Sequence, residues 1–562
     1  MNASFAATGS NGLKSRSRFN IDTLVKSQEF PFVSFRRKPE SSLSNRFWTP
    51  AFAGVTNFGT FYETINIDFP LIQSHSTDLF AGSTIVFPDH EAGKKADADP
   101  SGELLVQNRI KKTLIEIVGP ENYTEKLIDL ISYSYDASTY DNRPDCILWG
   151  TSTGQLSQIL GLANRERIPV VPRGAGTGLC GSAVPAEGGI VLDLSRMNKI
   201  LNISIPDRLV VVQPGVVYDN LQSALEPHGF FYPPDPASGK VCTLGGNVAT
   251  NAGGLKGAKY GTTRHYVLGL EVVLANGEVM RVGARTMKSS SGYDLTRLFV
   301  GSEGTLGVVT EITLKIAPKP AEVATALATF DRLEDAGHAV TMIMHSDVTP
   351  SALELLDSII IDMIRTHTDI DLPPVKALIL VETDGSTKHD VQHQLNRLVE
   401  LFKQCQAREV QTAKSEADAQ RLWLVRKSIG GLMGSVGHSF VPEDVTVPMS
   451  RIAEYLQKAQ EISKEYGLPI LNFGHAGDGN FHPNVLYDSS DPDQVARLEP
   501  ILFDLHKLAC DLGGTLTGEH GIGMTKAEYM PLEHDPIALK VMRTLKKALD
   551  PNNILNPGKM AL

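Results

Sequence analysis

The sequence predicts a mixed α+β fold, and three observations carry that expectation. Between Cys146 and Ile316, short β-branched runs recur without the regular βαβ alternation of a parallel array. After Pro318-Lys319-Pro320, strands alternate with amphipathic helices, which suits an antiparallel sheet with helices on one face. The 562 residues, 42% of them hydrophobic, exceed one domain of about 100–200 residues and leave room for two or three cores. No repeat of solenoid period is visible.

Each element has its own signal. Met1 to Arg46 is rich in Ser, Arg and Phe, poor in acids and without sustained periodicity. A transit peptide fits that composition. Ser34 to Thr56 (SFRRKPESSLSNRFWTPAFAGVT) instead resembles a translated interspersed repeat of bacterial genomes. We expect residues 1–100 to be an over-extended, dispensable leader. Helical periodicity resumes at Leu104, with Leu105, Ile110, Leu114 and Ile117 able to share a face. Cys146–Trp149 reads as a strand, Thr153–Glu166 as an amphipathic helix, and Ile168–Val171 as a strand entering a glycine loop. Gly189–Leu194, Arg208–Gln213, Val267–Leu274 and Gly307–Ile316 are further strands. Asn276-Gly277 supplies the positive φ angles of a hairpin into Glu278–Val282. Strands follow at Ala324–Phe330, Ala352–Asp357, Ala377–Thr383 and Glu409–Thr412. Helices are expected at Leu333–His345, Ile359–Thr366, Val391–Cys405 and Ala417–Ile429, the last with Trp423 and Arg426 spaced to share a face. We place domains at 101–320, 321–467 and 468–562.

Composition excludes several functions. A formal charge of -11 argues against nucleic acid as a partner, since phosphates need a basic face. No run approaches the roughly 18–20 apolar residues of a membrane span. Cys146, Cys180, Cys242, Cys405 and Cys510 are scattered without a CxxC pair, which disfavours an iron–sulfur cluster or zinc–thiolate site. An odd, sparse set suits a reducing, cytoplasmic setting.

The 49 glycines are informative because they cluster. Pro172-Arg173-Gly174-Ala175-Gly176-Thr177-Gly178 follows a predicted strand, and its amides could converge on a pyrophosphate. Its spacing misses the GxGxxG template, and alone it fits a bare turn equally well. Gly245 to Gly254 and Gly301 to Gly307 are second and third glycine runs, and three in one block exceed what turns require.

PVVPRGAGTGL, QPGV, PPDPAS, GGNVATNAGG, KYGTT, GSEGTLGVVTE, GHAGDGNFHP, GEHGIG and DPNNILNPGK, in that order, carry a resemblance. The chain resembles the FAD-dependent 2-hydroxy acid dehydrogenases of the vanillyl-alcohol oxidase/PCMH superfamily, over roughly Asp136 to Lys559. The resemblance implies a PCMH-type FAD-binding domain of two α+β subdomains, a substrate (cap) domain, and a C-terminal segment returning to the FAD domain. It implies that Pro172, Arg173, Gly174, Ala175, Gly176, Thr177 and Gly178 hold the pyrophosphate. Gln213, Pro236, Ser238, Gly246, Asn247, Asn251, Gly254, Glu303 and Val309 would line the cofactor, with Asn556 and Lys559 returning to it. Thr177 stands where some relatives attach flavin through a histidine, so non-covalent FAD is expected.

His475 and His482 bracket the turn-forming Gly477-Asp478-Gly479-Asn480, and Glu519-His520 lies in a second glycine-flanked segment. Two imidazoles and a carboxylate with an open position suit a catalytic divalent metal such as zinc, although hydrogen-bonded structural histidines fit the same spacing. The resemblance favours His475, His482 and Glu519 as metal ligands. His520 remains free to take a hydroxyl proton, or to orient Glu519 instead. The resemblance gives Arg426, in WxxR, the task of gripping a substrate carboxylate. Asn484 would bond substrate or hold its loop. Hydroxyglutarate enzymes usually carry a lysine near Pro442, and its absence favours glycolate or D-lactate over D-2-hydroxyglutarate. Without a nicotinamide fingerprint or cluster ligands, electrons are expected to leave to an iron–sulfur subunit, an electron-transfer flavoprotein or a quinone. Such partners would also provide any peripheral membrane association. A mitochondrial location would follow if the leader were a transit peptide. A non-catalytic flavin subunit is a rival reading, but such relatives lack the C-terminal histidine motifs. An alcohol or amine oxidase is a second rival and would need no His–His–Glu set.

Overall fold

A computed structural model describes residues 100–433 and 439–562. The leader assigned to residues 1–100 lies, up to residue 99, outside the described residues.

The helix Pro100–Val118 buries Ile110, Leu114 and Val118 in a core shared with the helix Thr153–Glu166. That second helix begins where the Ser152 hydroxyl accepts the Gln155 N–H, and ends at Arg167 in the left-handed region, φ 55°. Together they cover a four-stranded sheet. In it Cys146–Trp149 pairs in parallel with Ile190–Asp193, which pairs in parallel with Val170–Arg173. The C-terminal run joins this layer: the Val170 N–H donates to the Ile554 carbonyl, and the Asn556 N–H to the Val170 carbonyl. A five-stranded antiparallel sheet follows, in the order Ile200–Ser204, Leu209–Val212, Val308–Lys315, Val267–Val273, Val279–Gly283. Its last two strands form the expected hairpin, but of the Asn-Gly pair only Gly277 takes a positive φ, 86°, while Asn276 Oδ1 accepts the Glu278 N–H.

The largest sheet has eight antiparallel strands. Its order runs Glu409–Thr412, Glu322–Phe330, Ala377–Gly385, Ala352–Asp357, Ile470–His475, Asn480–Tyr487, Ser439–Pro442, with Val445–Thr446 also paired to Asn480–Tyr487. Two expectations need correction here. Helices cover both faces, not one. Ala326, Ala328, Phe330, Leu353, Leu355, Ile379 and Val381 pack on the helices Leu333–Met344, Lys388–Gln404, Ile452–Tyr466 and Pro492–Asp511. The alternate residues Leu327, Ala352, Leu356, Leu378 and Leu380 pack on Ser358–His367 and Glu416–Met433. The cause is the period-2 geometry of strands whose residues are apolar on both sides. The boundary at 467/468 also fails as a break in the fold, because Ile470–His475 and Asn480–Tyr487 are interior strands of this sheet.

Candidate active site

His475 ends one strand of the Ile470–His475/Asn480–Tyr487 hairpin, and His482 lies on the other. Both are buried, and both point to Glu519: His475 Nε2 lies 3.4 Å and His482 Nε2 3.5 Å from Glu519 Oε1. One ligand atom from each of the three residues falls within 4.8 Å of the others. Two ligands about 2.1 Å from a tetrahedral ion stand about 3.4 Å apart, so this donor set fits a divalent cation. His475 Nδ1 donates to Glu354 Oε1 at 2.6 Å, which fixes its ring with Nε2 toward the cluster. His482 Nδ1 has no hydrogen-bond partner among the described residues and lies 3.8 Å from Asp444 Oδ1.

Electrostatics favour positive charge in the cluster but split the two imidazoles, His482 being held neutral and His475 protonated until a cation displaces its proton. Burial opposes ionisation of Glu354, but His475 and Arg426 outweigh it and hold the carboxyl at about 2. Burial likewise opposes ionisation of Glu519, yet the histidines hold it at about 2. Burial pushes His482 down to about 3, leaving a neutral imidazole suited to ligation. For His475 burial works against the charge, but Glu354 and Glu519 exceed it and raise the pKa well above its ordinary value. Two ionised carboxylates around the imidazoles, Glu354 fully buried and Glu519 partly so, make a site that favours a cation.

Arg426 reaches the cluster through Glu354. Its Nε donates to Glu354 Oε2 at 2.6 Å and its guanidinium lies 4.9 Å from the Phe473 ring centroid. Asn484 is buried, and its side-chain amide donates to the His482 carbonyl at 2.8 Å, so it braces its own strand. Across the strands Asn484 stands opposite Pro442. The His520 ring stacks on His482, with centroids 5.1 Å apart and planes 13° apart.

Glu519 and His520 also line a deep cleft in the glycine-rich block. Pro172, Arg173, Gly174, Ala175, Gly176, Thr177, Gly178, Pro236, Ser238, Gly246, Asn247, Glu303 and Val309 border it. Five expected residues stand back from that lining, Lys559 among them with its Nζ donating to the Val184 carbonyl. Gln213 Oε1 accepts the Lys199 N–H, and Asn251 Oδ1 accepts from Thr262 and the Arg264 N–H. A Cβ on Gly254 would run into the Asp235 carbonyl. Asn556 sits behind the loops, donating to the Ser182 and Glu303 carbonyls. The side chains among them are committed to holding backbone. Arg173 borders the cleft but spends its guanidinium on the Tyr135 and Ala183 carbonyls, so it braces the loop.

The cleft fits a large polar cofactor. The buried Nδ2 of Asn247 has no partner among the described residues. A Cβ on Gly174 would collide with the Thr243 hydroxyl, and one on Gly245 would fall 2.5 Å from Pro214 Cβ. Glu303 ties cleft to cluster. It sits at φ 51°, and its carboxylate accepts from the Ser182 hydroxyl and from the Ile522 and Gly523 N–H groups.

Two acids escaped sequence reasoning. Glu354 had a signal, a charged residue inside the apolar strand ALELLD. Asp444 had little, since PEDV reads as a loop. Among the described residues all five cysteines are free, and no helix is long and apolar enough to cross a membrane.

Two domain families match the chain: an FAD binding domain over residues 144–283 and the C-terminal domain of FAD linked oxidases over residues 319–560. The glycolate oxidase subunit GlcD of Bacillus subtilis (strain 168) is 42% identical over 458 residues, 81% of this chain and 97% of that protein. The D-lactate dehydrogenase of Archaeoglobus fulgidus is 36% identical, covering 73% of this chain and 90% of that protein. Among solved structures, p-cresol methylhydroxylase with substrate bound aligns at a TM-score of 0.69 and 19% identity, over 81% of this chain and 96% of that one.

Proposed function

Because the chain belongs to the FAD-linked oxidase family, and is therefore an FAD-binding oxidoreductase, we propose that it oxidises a small D-2-hydroxy acid, D-lactate or glycolate, to the 2-oxo acid. One observation carries this reading: Glu519 and His520 line the same cleft as the glycine loops, so the His475–His482–Glu519 cluster borders the cofactor site. The names of the relatives, glycolate oxidase subunit and D-lactate dehydrogenase, support the substrate class. When bound, FAD supplies the acceptor for the Cα hydrogen with its electron pair, and a divalent cation, zinc by donor type, supplies Lewis acidity. His475, His482 and Glu519 would hold the cation. His520 takes the hydroxyl proton at an imidazole nitrogen. Arg426 grips the substrate carboxylate with its terminal nitrogens, which have no hydrogen-bond partner among the described residues while Glu354 fixes Nε and the Phe473 ring lies under the guanidinium. Pro442, opposite Asn484, offers no cation for a distal carboxylate, which favours a monocarboxylate.

FAD is held without a covalent bond, since Thr177 and its loop offer no histidine. With no cluster ligands among the described residues, electrons pass to an iron–sulfur subunit, an electron-transfer flavoprotein or a quinone. The protein works in the cytoplasm, at the membrane only through such partners.

Anaerobic flavin reduction by a panel of D- and L-2-hydroxy acids tests the reading. D-lactate or glycolate should bleach the flavin, and L-lactate should not. Faster reduction by D-2-hydroxyglutarate would overturn the monocarboxylate preference. His475→Ala and Glu519→Gln should lose metal by elemental analysis yet keep FAD. His520→Ala should keep both and slow reduction by about 10²–10⁴-fold.

A further inference from the structure

One fully buried carboxylate joins the two halves of the metal cluster. Asp444 is 0% exposed and lies outside the set of ligand, base and clamp. Its Oδ2 accepts the backbone N–H groups of Gly518, Glu519 and His520 at 2.9, 3.0 and 2.9 Å, and the Thr517 hydroxyl. Its Oδ1 takes the side-chain amide of Asn480, which stands opposite His475 in the hairpin and begins the strand that carries His482. Three consecutive N–H groups converging on one oxygen form an anion nest, filled here by a side chain of the protein itself. Such a nest fixes the backbone at residues 518–520, and with it the directions in which the Glu519 and His520 side chains leave.

We propose that Asp444 is a positioning residue that holds Glu519 and His520 in register with the His475–His482 hairpin. It touches neither substrate nor cofactor and acts through the segments it ties. An amide cannot replace it, because every partner is a donor and asparagine offers one acceptor oxygen against five donors. The inference rests on the metal reading above.

The test uses the full-length, FAD-loaded protein, stripped of metal with a chelator and titrated with Co²⁺. Wild type should bind Co²⁺ saturably and show a visible ligand-field band. Asp444→Asn should keep FAD and its circular dichroism, bind Co²⁺ about 10–100-fold more weakly, and shift that band. A role in folding alone would leave the band of the bound ion unmoved. Thr517→Val, which removes one of Asp444's donors and the acceptor of the Gly521 N–H but leaves the carboxylate, should weaken Co²⁺ about 2–12-fold and shift the band less. Wild-type affinity and an unshifted band in Asp444→Asn overturn the positioning role and leave the metal reading standing. If Asp444→Asn does not fold, unaltered Co²⁺ binding in Thr517→Val overturns it equally. Wild-type protein that takes up no Co²⁺ overturns the metal reading itself, and the positioning role with it.

Discussion

At Glu354 two tasks meet on one side chain: one oxygen orients His475 and the other fixes Arg426. Glu354→Gln leaves a single acceptor for two donors, so metal affinity should fall about 10–100-fold while FAD stays bound. The Michaelis constant for the hydroxy acid should rise with it, because the freed Arg426 no longer presents its terminal nitrogens in one pose. Metal titration and steady-state kinetics check both effects, and a variant equal to wild type in each would remove Glu354 from the site. Lys559 gives a prediction about pH. It is 1% exposed, its Nζ donates to the Val184 carbonyl at 2.7 Å, and burial lowers its pKa to about 8 despite nearby Glu303. Between about pH 8 and the ordinary value near 10.5, the unfolded chain therefore binds more protons than the folded one. The cost of burying this charge is full below pH 8 and disappears as pH rises through that window. Wild type should thus gain stability relative to Lys559→Met between pH 8 and pH 10, read from urea midpoints. A constant difference across that range would show that the ammonium carries no such penalty.

Among the elements, the loop Pro172–Gly178 depends on the absence of side chains. A Cβ at Gly174 would strike the Thr243 hydroxyl, which caps the helix Leu244–Thr250 by accepting the Gly246 N–H. Gly174→Ala should therefore spread the two walls of the cleft at a cost of about 1–3 kcal/mol. The loss should appear as a lower FAD-to-protein absorbance ratio and weaker FAD rebinding to the apoprotein, with the His475–His482–Glu519 geometry unchanged. Full flavin occupancy would show that the loop gives way freely. Elements of this kind were legible in the sequence because their signals are local. Thr153–Glu166 carries a helical period between a serine cap and a break, and the 267–283 hairpin carries Asn-Gly. What covers a strand is less local. Ala-Leu-Ile-Leu-Val at 377–381 is apolar at every position, the mark of a strand buried on both faces, and weighing it would have placed helices on both sides.

For the whole molecule, the site is assembled from segments that sequence order keeps apart. The strand Ala352–Asp357 supplies Glu354, the helix Glu416–Met433 supplies Arg426, the 470–487 hairpin supplies the imidazoles, and residues 517–523 close onto Glu303. The motifs that name residue types were readable, and the fold brings His475, His482, Glu519 and His520 together. Which strand neighbours which was not readable, because the pairing of Leu355 with Gly474 leaves no trace in either segment. The same logic bears on residues 1–99. The Bacillus subtilis relative is matched over 97% of its length by 458 residues of this chain, and the ordered motifs begin only after Asp136. Every side chain placed in the cleft and the cluster lies between Pro172 and His520, and the first described helix begins at Pro100 with its buried face at Ile110, Leu114 and Val118. Deleting residues 1–99 therefore removes no group that the cofactor, the cation or the substrate is argued to touch. The shortened protein should stay yellow, bind one divalent ion, and reduce its flavin with D-lactate or glycolate at the rate of the full chain. Flavin content, metal analysis and anaerobic rates measured side by side decide it, and a shortened protein that is colourless or insoluble would make the leader a working part of the fold.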